Sequence, residues 1–387
     1  MEILVNGTPL LAPLTGIGQY IRHLFTAMDK IAGANVNMYY GTRCERGMQL
    51  PSAGATQKVQ FTYGLLRRMI PRPRTLRRHL EQAMFTYHTR AGMGNVIYHE
   101  PNHVALPYKG PLVLTVCDLS CFDHPETHPK ERVELMQRDM PGSIERADHI
   151  IVISEASGEA LRRWFNVDPS RITNTYLAAD PRFQPRTADV LAPALMGLGL
   201  APGGYLLSVG TLEPRKNLTT LFAAYAGLPE SLRKRYPLVV AGMKGWGVEG
   251  LMKSAHELIQ RGDLILLGYV ADEVMPLLYA GAAAFCYPSR YEGFGLPALE
   301  AMASGVPVLT SNKTSLPEVV GDAGLMVDPD DVDSMREHLR ELLEDRVKAA
   351  ELGARGLARA QTFSWDRCAQ ETFSVYQRVM LQRGFKL

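Results

Sequence analysis

Short apolar runs alternate with helix-length segments along the whole chain, and this alternation restricts the fold more than any other feature of the sequence. Strands separated by helices join as parallel sheets with crossover connections. In the first half, strands are expected near residues 2–6, 35–40, 95–99, 111–117 and 149–153, and helices near 17–31, 74–90, 130–147 and 155–165. Pro141 is expected to bend or interrupt the third of those helices. Residues 181–204 then hold Pro181, Pro185, Pro193, Pro202 and the pair Gly203-Gly204, a composition suited to an interdomain linker. Strands recur near 205–209, 237–241, 263–267, 283–287, 307–310 and 325–327. At 387 residues the chain exceeds what one hydrophobic core usually organises. The expected architecture is therefore α/β, with two Rossmann-like, doubly wound parallel-sheet domains at 1–182 and 205–365 joined by a linker at 183–204. Ligands of such sheets bind at the carboxyl ends of the strands, so the active site belongs in the cleft where the domains face each other. Residues 364–383 form an amphipathic pattern with no strand after it, and 366–387 are expected to pack back on the first domain.

Composition narrows the functional classes. A net charge of +2 gives no global electrostatic case for nucleic acid. No run approaches the roughly 18 apolar residues of a membrane span, and Met1 leads directly into the strand-like Glu2-Ile3-Leu4-Val5, so a cytoplasmic location is expected. The five cysteines are odd in number and lack paired C-x-x-C spacing, which fits a reducing compartment. Cys117 and Cys121 lack the second ligand pair of a zinc site, and no metal is expected.

The segment from Tyr291 to Gly305, YEGFGLPALEAMASG, carries the most chemistry. It sets Glu292 in a glycine-rich loop and Glu300 eight positions later on the helix that follows. Pro297 suits the first helical turn, where no amide is needed, and Gly305 suits a C-terminal cap. The free amides of Gly293, Phe294, Gly295 and Leu296 at this helix start favour an anion. Two acids flanking an amide nest suit a phosphorylated sugar, the acids taking hydroxyls and the amides taking phosphate oxygens. A second candidate anion site follows the strand YLLSVG, where Arg215 and Lys216 stand at a strand end before a helix. Arginine supplies a planar fork and lysine a mobile point charge, together suited to a diphosphate, and Asn217 is a competent N-cap.

Taken together, residues 210–218 and 292–305 resemble the retaining glycosyltransferases of family four (group 1), which have the GT-B fold, and the resemblance extends over essentially the whole chain. The second segment matches that family's E-x7-E pattern. The resemblance implies that Arg215 and Lys216 bind the donor's diphosphate, that Glu292 contacts the donor sugar near the reacting centre, and that Glu300 holds the nucleotide ribose. It implies that main-chain groups of Tyr269 and Val270 meet the nucleobase. Gly16 and Gly18, in the loop LTGIGQY, would let the backbone approach the donor phosphate, although a simple tight turn accounts for them too. A dinucleotide fingerprint fails there because Ile21 replaces the third glycine of G-x-G-x-x-G.

The pattern breaks at the other wall of the expected cleft. Many family members have His-Asp where this chain has Cys117-Asp118. A thiol, with a reference pKa of about 8.5, cannot serve as a cationic donor near neutral pH. Asp118 is retained as a catalytic or acceptor-binding carboxylate, and His99 or His103 could supply an imidazole from the neighbouring strand end. Glu292, Asp118 and His99 are thus the candidate catalytic residues.

Arg67, Arg68, Arg72, Arg74, Arg77 and Arg78 are interleaved with apolar side chains, which suits either an anionic membrane surface or a solvated basic face. The resulting expectation is a metal-independent hexosyltransferase on the inner face of the plasma membrane. By resemblance to bacterial mannosyl- and rhamnosyltransferases of surface polysaccharide, it would move mannose or rhamnose from a GDP-linked donor, with retention, to a glycan or polyprenyl-diphosphate-linked acceptor. A GT-B nucleotide-sugar epimerase and a non-catalytic scaffold subunit of a glycan assembly complex are the alternatives.

Overall fold

The computed structural model describes residues 1–11, 16–41, 43–49, 82–89 and 95–386. Only 82–89 of the helix expected near 74–90 fall within these residues, and they are helical. The basic stretch from Arg67 to Arg78 lies outside the described residues.

Two sheets account for the alternation. The first has seven strands in the order β3-β2-β1-β4-β5-β6-β7, formed by β1 (Glu2–Asn6), β2 (Asn35–Tyr39), β3 (Cys44–Arg46), β4 (Ile97–Glu100), β5 (Leu112–Val116), β6 (His149–Val152) and β7 (Ile172–Asn174). All its pairings are parallel except the antiparallel edge strand β3. The second sheet is wholly parallel, in the order β10-β9-β8-β11-β12-β13. Its strands are β8 (Leu206–Val209), β9 (Leu238–Ala241), β10 (Leu264–Gly268), β11 (Ala284–Tyr287), β12 (Val308–Ser311) and β13 (Leu325–Val327). Strands such as Leu112–Val116 and Leu238–Ala241 are buried on both faces, as unbroken Leu/Val runs in a parallel sheet should be. β3 and β7 were not anticipated, being three residues long and without an apolar run.

Strand order reverses between β1 and β4 in the first sheet and between β8 and β11 in the second. The loops leaving these adjacent strands diverge to opposite faces of each sheet and open a crevice at the carboxyl edge. Arg215, which follows β8, and Glu292, which follows β11, are brought together by that reversal although they are 77 positions apart in the chain.

Three local expectations are altered by packing. The helix Lys130–Arg146 runs continuously through Pro141, because Met136, Met140 and Ile144 seat its inner face in the core and outweigh one lost backbone bond. Within the stretch read as a linker, Ala188–Met196 is a helix whose Leu191 and Leu195 are buried. Asn217 adopts a left-handed φ of 55° and does not cap with its side chain; its amide donates to the Pro288 and Pro329 carbonyls instead.

The final helix, Trp365–Gln382, crosses back and packs along the first helix, Gly16–Met28. A buried hydrogen-bonded chain fixes that contact. Tyr376 Oη lies 2.5 Å from His99 Nδ1, His99 Nε2 lies 2.7 Å from Thr115 Oγ1, and Thr115 Oγ1 lies 3.0 Å from Tyr20 Oη. His99, expected at the reacting centre, is therefore fully enclosed with both ring nitrogens engaged, and burial lowers its pKa to about 3. Further ties join the two domains. The Glu318 carboxylate accepts the amides of Glu155 and Ala156 at 2.9 and 3.0 Å, capping the helix Glu155–Phe165 of the other domain, and also takes the Tyr176 hydroxyl. Among the described residues no helix is long and apolar enough to cross a membrane.

The enclosed position of His99 has a direct consequence. His99→Ala would strand the Tyr376 hydroxyl beside a cavity and leave Thr115 with Tyr20 alone, at a cost of about 3 kcal/mol. Chemical denaturation should report that loss while activity per folded molecule changes little; a stable but inactive variant would return His99 to the reaction.

Candidate active site

The cleft between the sheets has a volume of ≈ 660 Å³ and is walled by both domains. From the second domain come Arg215, Lys216, Tyr269, Val270, Glu292, Gly293, Phe294, Gly295, Leu296 and Glu300. The first domain contributes Gly16, Cys117 and Asp118, whereas Gly18 is buried behind the wall and His99 lies outside it.

One carboxylate organises the second-domain wall. Glu292 is 7% exposed and accepts Lys216 Nζ at 2.7 Å on Oε1 and Arg215 Nη1 at 3.1 Å on Oε2. Arg215 also donates twice to Glu213 Oε1, at 3.0 and 2.6 Å, and once to the Tyr291 carbonyl at 2.7 Å. Lys216 donates to Tyr287 Oη at 2.6 Å, with its nitrogen 4.9 Å from that ring's centre. Burial opposes charge on Glu292, but Lys216 and Arg215 outweigh it and hold the carboxyl down to about 2. Burial likewise opposes the Arg215 charge and is outweighed by Glu292 and Glu213, so its pKa rises further. Lys216 moves the other way, lowered by burial and then by Arg215.

Counting donors shows what remains for a ligand. A guanidinium has five N–H groups and Arg215 uses four; an ammonium has three and Lys216 uses two. One donor on each cation is left without an acceptor among the described residues, in the cleft that the start of the helix Leu296–Ala303 also lines. Pro297 sits in that helix's first turn and Gly305 follows its end at φ 74°, as the sequence implied. Gly295 precedes it at φ 106°, a left-handed value that any other residue would adopt only with strain. Phosphate oxygens on the cations and amides, with sugar hydroxyls on Glu292, fit this arrangement.

Around Glu300 the electrostatics differ. Burial, reinforced by the charges of Asp180 and Asp272, pushes its carboxyl up to about 8. Asp180 and Asp272, which line the cleft with Arg182, also pair with Arg22 of the first helix, and the network ties that helix to the second domain. Tyr269 is 68% exposed at this rim, while Val270 is buried.

At the first-domain wall the Cys117 backbone does what its thiol does not. A Cβ on Gly293 would lie 2.3 Å from the Cys117 carbonyl oxygen, so only glycine allows the two loops to touch. Ser157 Oγ bridges the Cys117 and Gly293 carbonyls at 3.0 and 3.3 Å, and Tyr291 Oη accepts the Leu119 amide at 3.3 Å. The thiol itself faces the Pro101 carbonyl, and burial raises its pKa far above the ordinary range. Asp118 stays ionised: burial opposes its charge, but His103, Arg215 and hydrogen bonds from Ser120 hold its carboxyl well below the usual range. His103, rather than His99, is the imidazole coupled to it. Among the described residues no group of three or more His, Cys, Asp or Glu side chains is placed to hold a metal ion.

Several lining residues escaped the sequence reading. Glu213 and Tyr287 stood within reach of the quoted motifs, the first two residues before Arg215 and the second at the end of β11, and a donor inventory of the cation pair would have sought them. Asp180, Arg182 and Trp246 carried no local signal, since they reach the cleft through chain reversals far from any motif.

Residues 202–359 match the family model described as glycosyl transferases, group 1. The chain is 39% identical over 388 residues to O-antigen chain mannosyltransferase B of Escherichia coli, covering 97% of this chain and 100% of that protein. Among solved structures, sucrose-phosphate synthase of Thermosynechococcus elongatus superposes with a TM-score of 0.76 at 21% identity, covering 99% of this chain and 100% of that one. Anabaena HepE in complex with UDP-glucose does so at 0.71 and 18% identity, covering 98% and 100% respectively. These likenesses establish the two-domain GT-B fold of the chain.

The Glu292 pairing makes a pH-dependent contribution to stability. Its folded carboxyl lies near 2, against about 4.3 for a free glutamate, so the contribution is complete above the free value and is lost as pH falls from about 4.3 toward 2. Urea midpoints of Glu292→Gln should fall less steeply over that interval than those of the natural chain. Parallel acid limbs would refute the pairing.

Proposed function

The chain belongs to the group 1 glycosyl transferases, and on that premise we propose that it transfers mannose from GDP-mannose, with retention of configuration, to a lipid-linked or polysaccharide acceptor. The family is one of glycosyl transferases, and the relative matched over its full length is a mannosyltransferase, which supports transfer of a hexose. The observation that carries the finer reading is the Arg215–Glu292–Lys216 cluster, where two cations and an acid meet at the switch point of the second sheet. Arg215, Lys216 and the amides at the start of Leu296–Ala303 would take the diphosphate, and fixed donors of this kind stabilise a leaving group without a metal ion. Glu292 would accept sugar hydroxyls and Glu300 the ribose hydroxyls. In a retaining transfer on the leaving-group face, the bond from the anomeric carbon to the phosphate oxygen breaks as the bond to the acceptor oxygen forms. The acceptor's proton passes to the departing phosphate, so no protein base is required and the absence of a histidine at position 117 is tolerated.

A guanine base is favoured by Asp272. Its Oδ2 is taken by Arg22 and Arg182, while Oδ1 has no partner among the described residues and lies three positions from Tyr269. Guanine offers two adjacent donors, N1–H and the 2-amino group, to such an oxygen; uracil offers one. Incubation with GDP-mannose and a mannose-terminated acceptor should give an α-linked product by NMR, with GDP raising the melting temperature more than UDP. Lys216→Ala should cut transfer by roughly 10²-fold or more. A β-linked product would exclude retention, and a stronger response to UDP would exclude the guanine reading.

Attachment to an anionic membrane rests on the sequence of the stretch holding Arg67, Arg68, Arg72, Arg74, Arg77 and Arg78, each cation near such a surface contributing roughly 1 kcal/mol. Cosedimentation with anionic liposomes should weaken when these arginines are changed to serine; undiminished binding would count against it.

A further inference from the structure

Behind Asp118 lies a second layer of hydrogen bonds that the donor site does not use. Asp118 Oδ1 accepts the Ser120 amide at 2.9 Å and the Ser120 hydroxyl at 2.6 Å, while Oδ2 makes no hydrogen bond among the described residues. His128 Nε2 lies 2.8 Å from the same hydroxyl oxygen. The tautomer follows from the donor count. An ionised aspartate only accepts, so the single Ser120 hydroxyl proton points to Asp118, and His128 must present Nε2–H to Ser120 Oγ. His128 Nδ1 is then a bare acceptor, and it is buried without a partner among the described residues. A helix-start turn needs only the Ser120 amide; a buried imidazole with an unmet acceptor costs free energy that such a turn has no reason to incur. The loop holding His128 is clamped from the other domain, where Trp246 Nε1 donates to the Thr127 carbonyl at 2.6 Å and its ring stands 6.0 Å from that of His128. Trp246 and Asp118 both line the cleft, whereas Ser120 and His128 lie behind its wall.

We propose that Ser120 and His128 are positioning residues for the transfer: they hold Asp118 Oδ1 from behind so that Oδ2 is presented to substrate hydroxyls in the cleft, and Trp246 of the second domain completes the relay by fixing the loop that carries His128. The inference rests on the hexosyl transfer proposed above. The relay is lost in Ser120→Ala and His128→Leu, whereas His128→Gln retains an N–H donor at a similar reach.

Steady-state kinetics with GDP-mannose test the proposal. Ser120→Ala and His128→Leu are expected to lower kcat on the order of tenfold or more with the donor KM within about twofold, and His128→Gln to recover most of the loss. GDP-induced thermal shifts establish that each variant is folded. Unchanged kcat in both deletion variants, with the natural chain active, overturns the relay and leaves the transferase reading intact. An equal loss in His128→Gln and His128→Leu also overturns it. Histidine-selective NMR of the natural chain supplies a readout independent of activity and of any variant's folding: His128 should be the Nε2–H tautomer near neutral pH, and an Nδ1–H tautomer removes the relay even if GDP-mannose proves not to be the donor.

Discussion

Glu292 is the point on which the candidate site turns. Without it, Arg215 and Lys216 would be two buried cations facing each other after β8, each raising the cost of charging the other. With it, both are paired and aimed, and each keeps one donor to spare among the described residues. Such a bridge is weak evidence for stability, because burying three charges costs about as much as their attraction returns. What it secures is geometry. Glu292, with Glu213, the Tyr291 carbonyl and Tyr287, fixes the direction of both cations, so their remaining donors are already in place before any ligand arrives.

The bridge exists only because the strand order reverses between β8 and β11. Neighbouring strands place the loop after β8 against the loop after β11, and Ser315 Oγ pins the latter by donating to the Glu292 and Phe294 carbonyls. The Tyr291–Gly295 loop has a second duty. Through Gly293 and the Tyr291 hydroxyl it rests on the end of β5, which carries Cys117 and Asp118 to the opposite wall. The two walls are therefore in register by backbone contact, which does not depend on the side chain at 117.

Charge is divided unevenly along the cleft. At the Arg215–Lys216 end, acids and bases are paired at 2.6–3.1 Å. Around Glu300, burial and the neighbouring Asp180 and Asp272 favour the protonated acid, although Arg22 and Arg182 lie in the same network. Glu292 and Glu300, read together as one E-x7-E pair, thus occupy opposite electrostatic surroundings. Their sequence spacing sets one in the loop and one on the helix, and the neighbours contributed by other segments determine their protonation.

The sequence by itself determined the architecture and the second-domain wall. Alternating apolar and helix-length segments point to parallel sheets with crossovers, which holds for every pairing but that of the short edge strand β3, and Glu292, Pro297, Glu300 and Gly305 lie on one continuous stretch whose local geometry follows from residue type. The edge strands β3 and β7 were illegible because three residues without an apolar run give no periodic signal. His99 and His103 looked alike on the chain; the return of the last helix decided between them by placing Tyr376 against His99 and leaving His103 coupled to Asp118. Only the tertiary structure could bring Asp180, Asp272 and Trp246 into the cleft, or set Ser120 and His128 behind Asp118. Strand reversal and domain apposition join distant segments, and hydrogen bonding and burial there are set by the partners they meet in space.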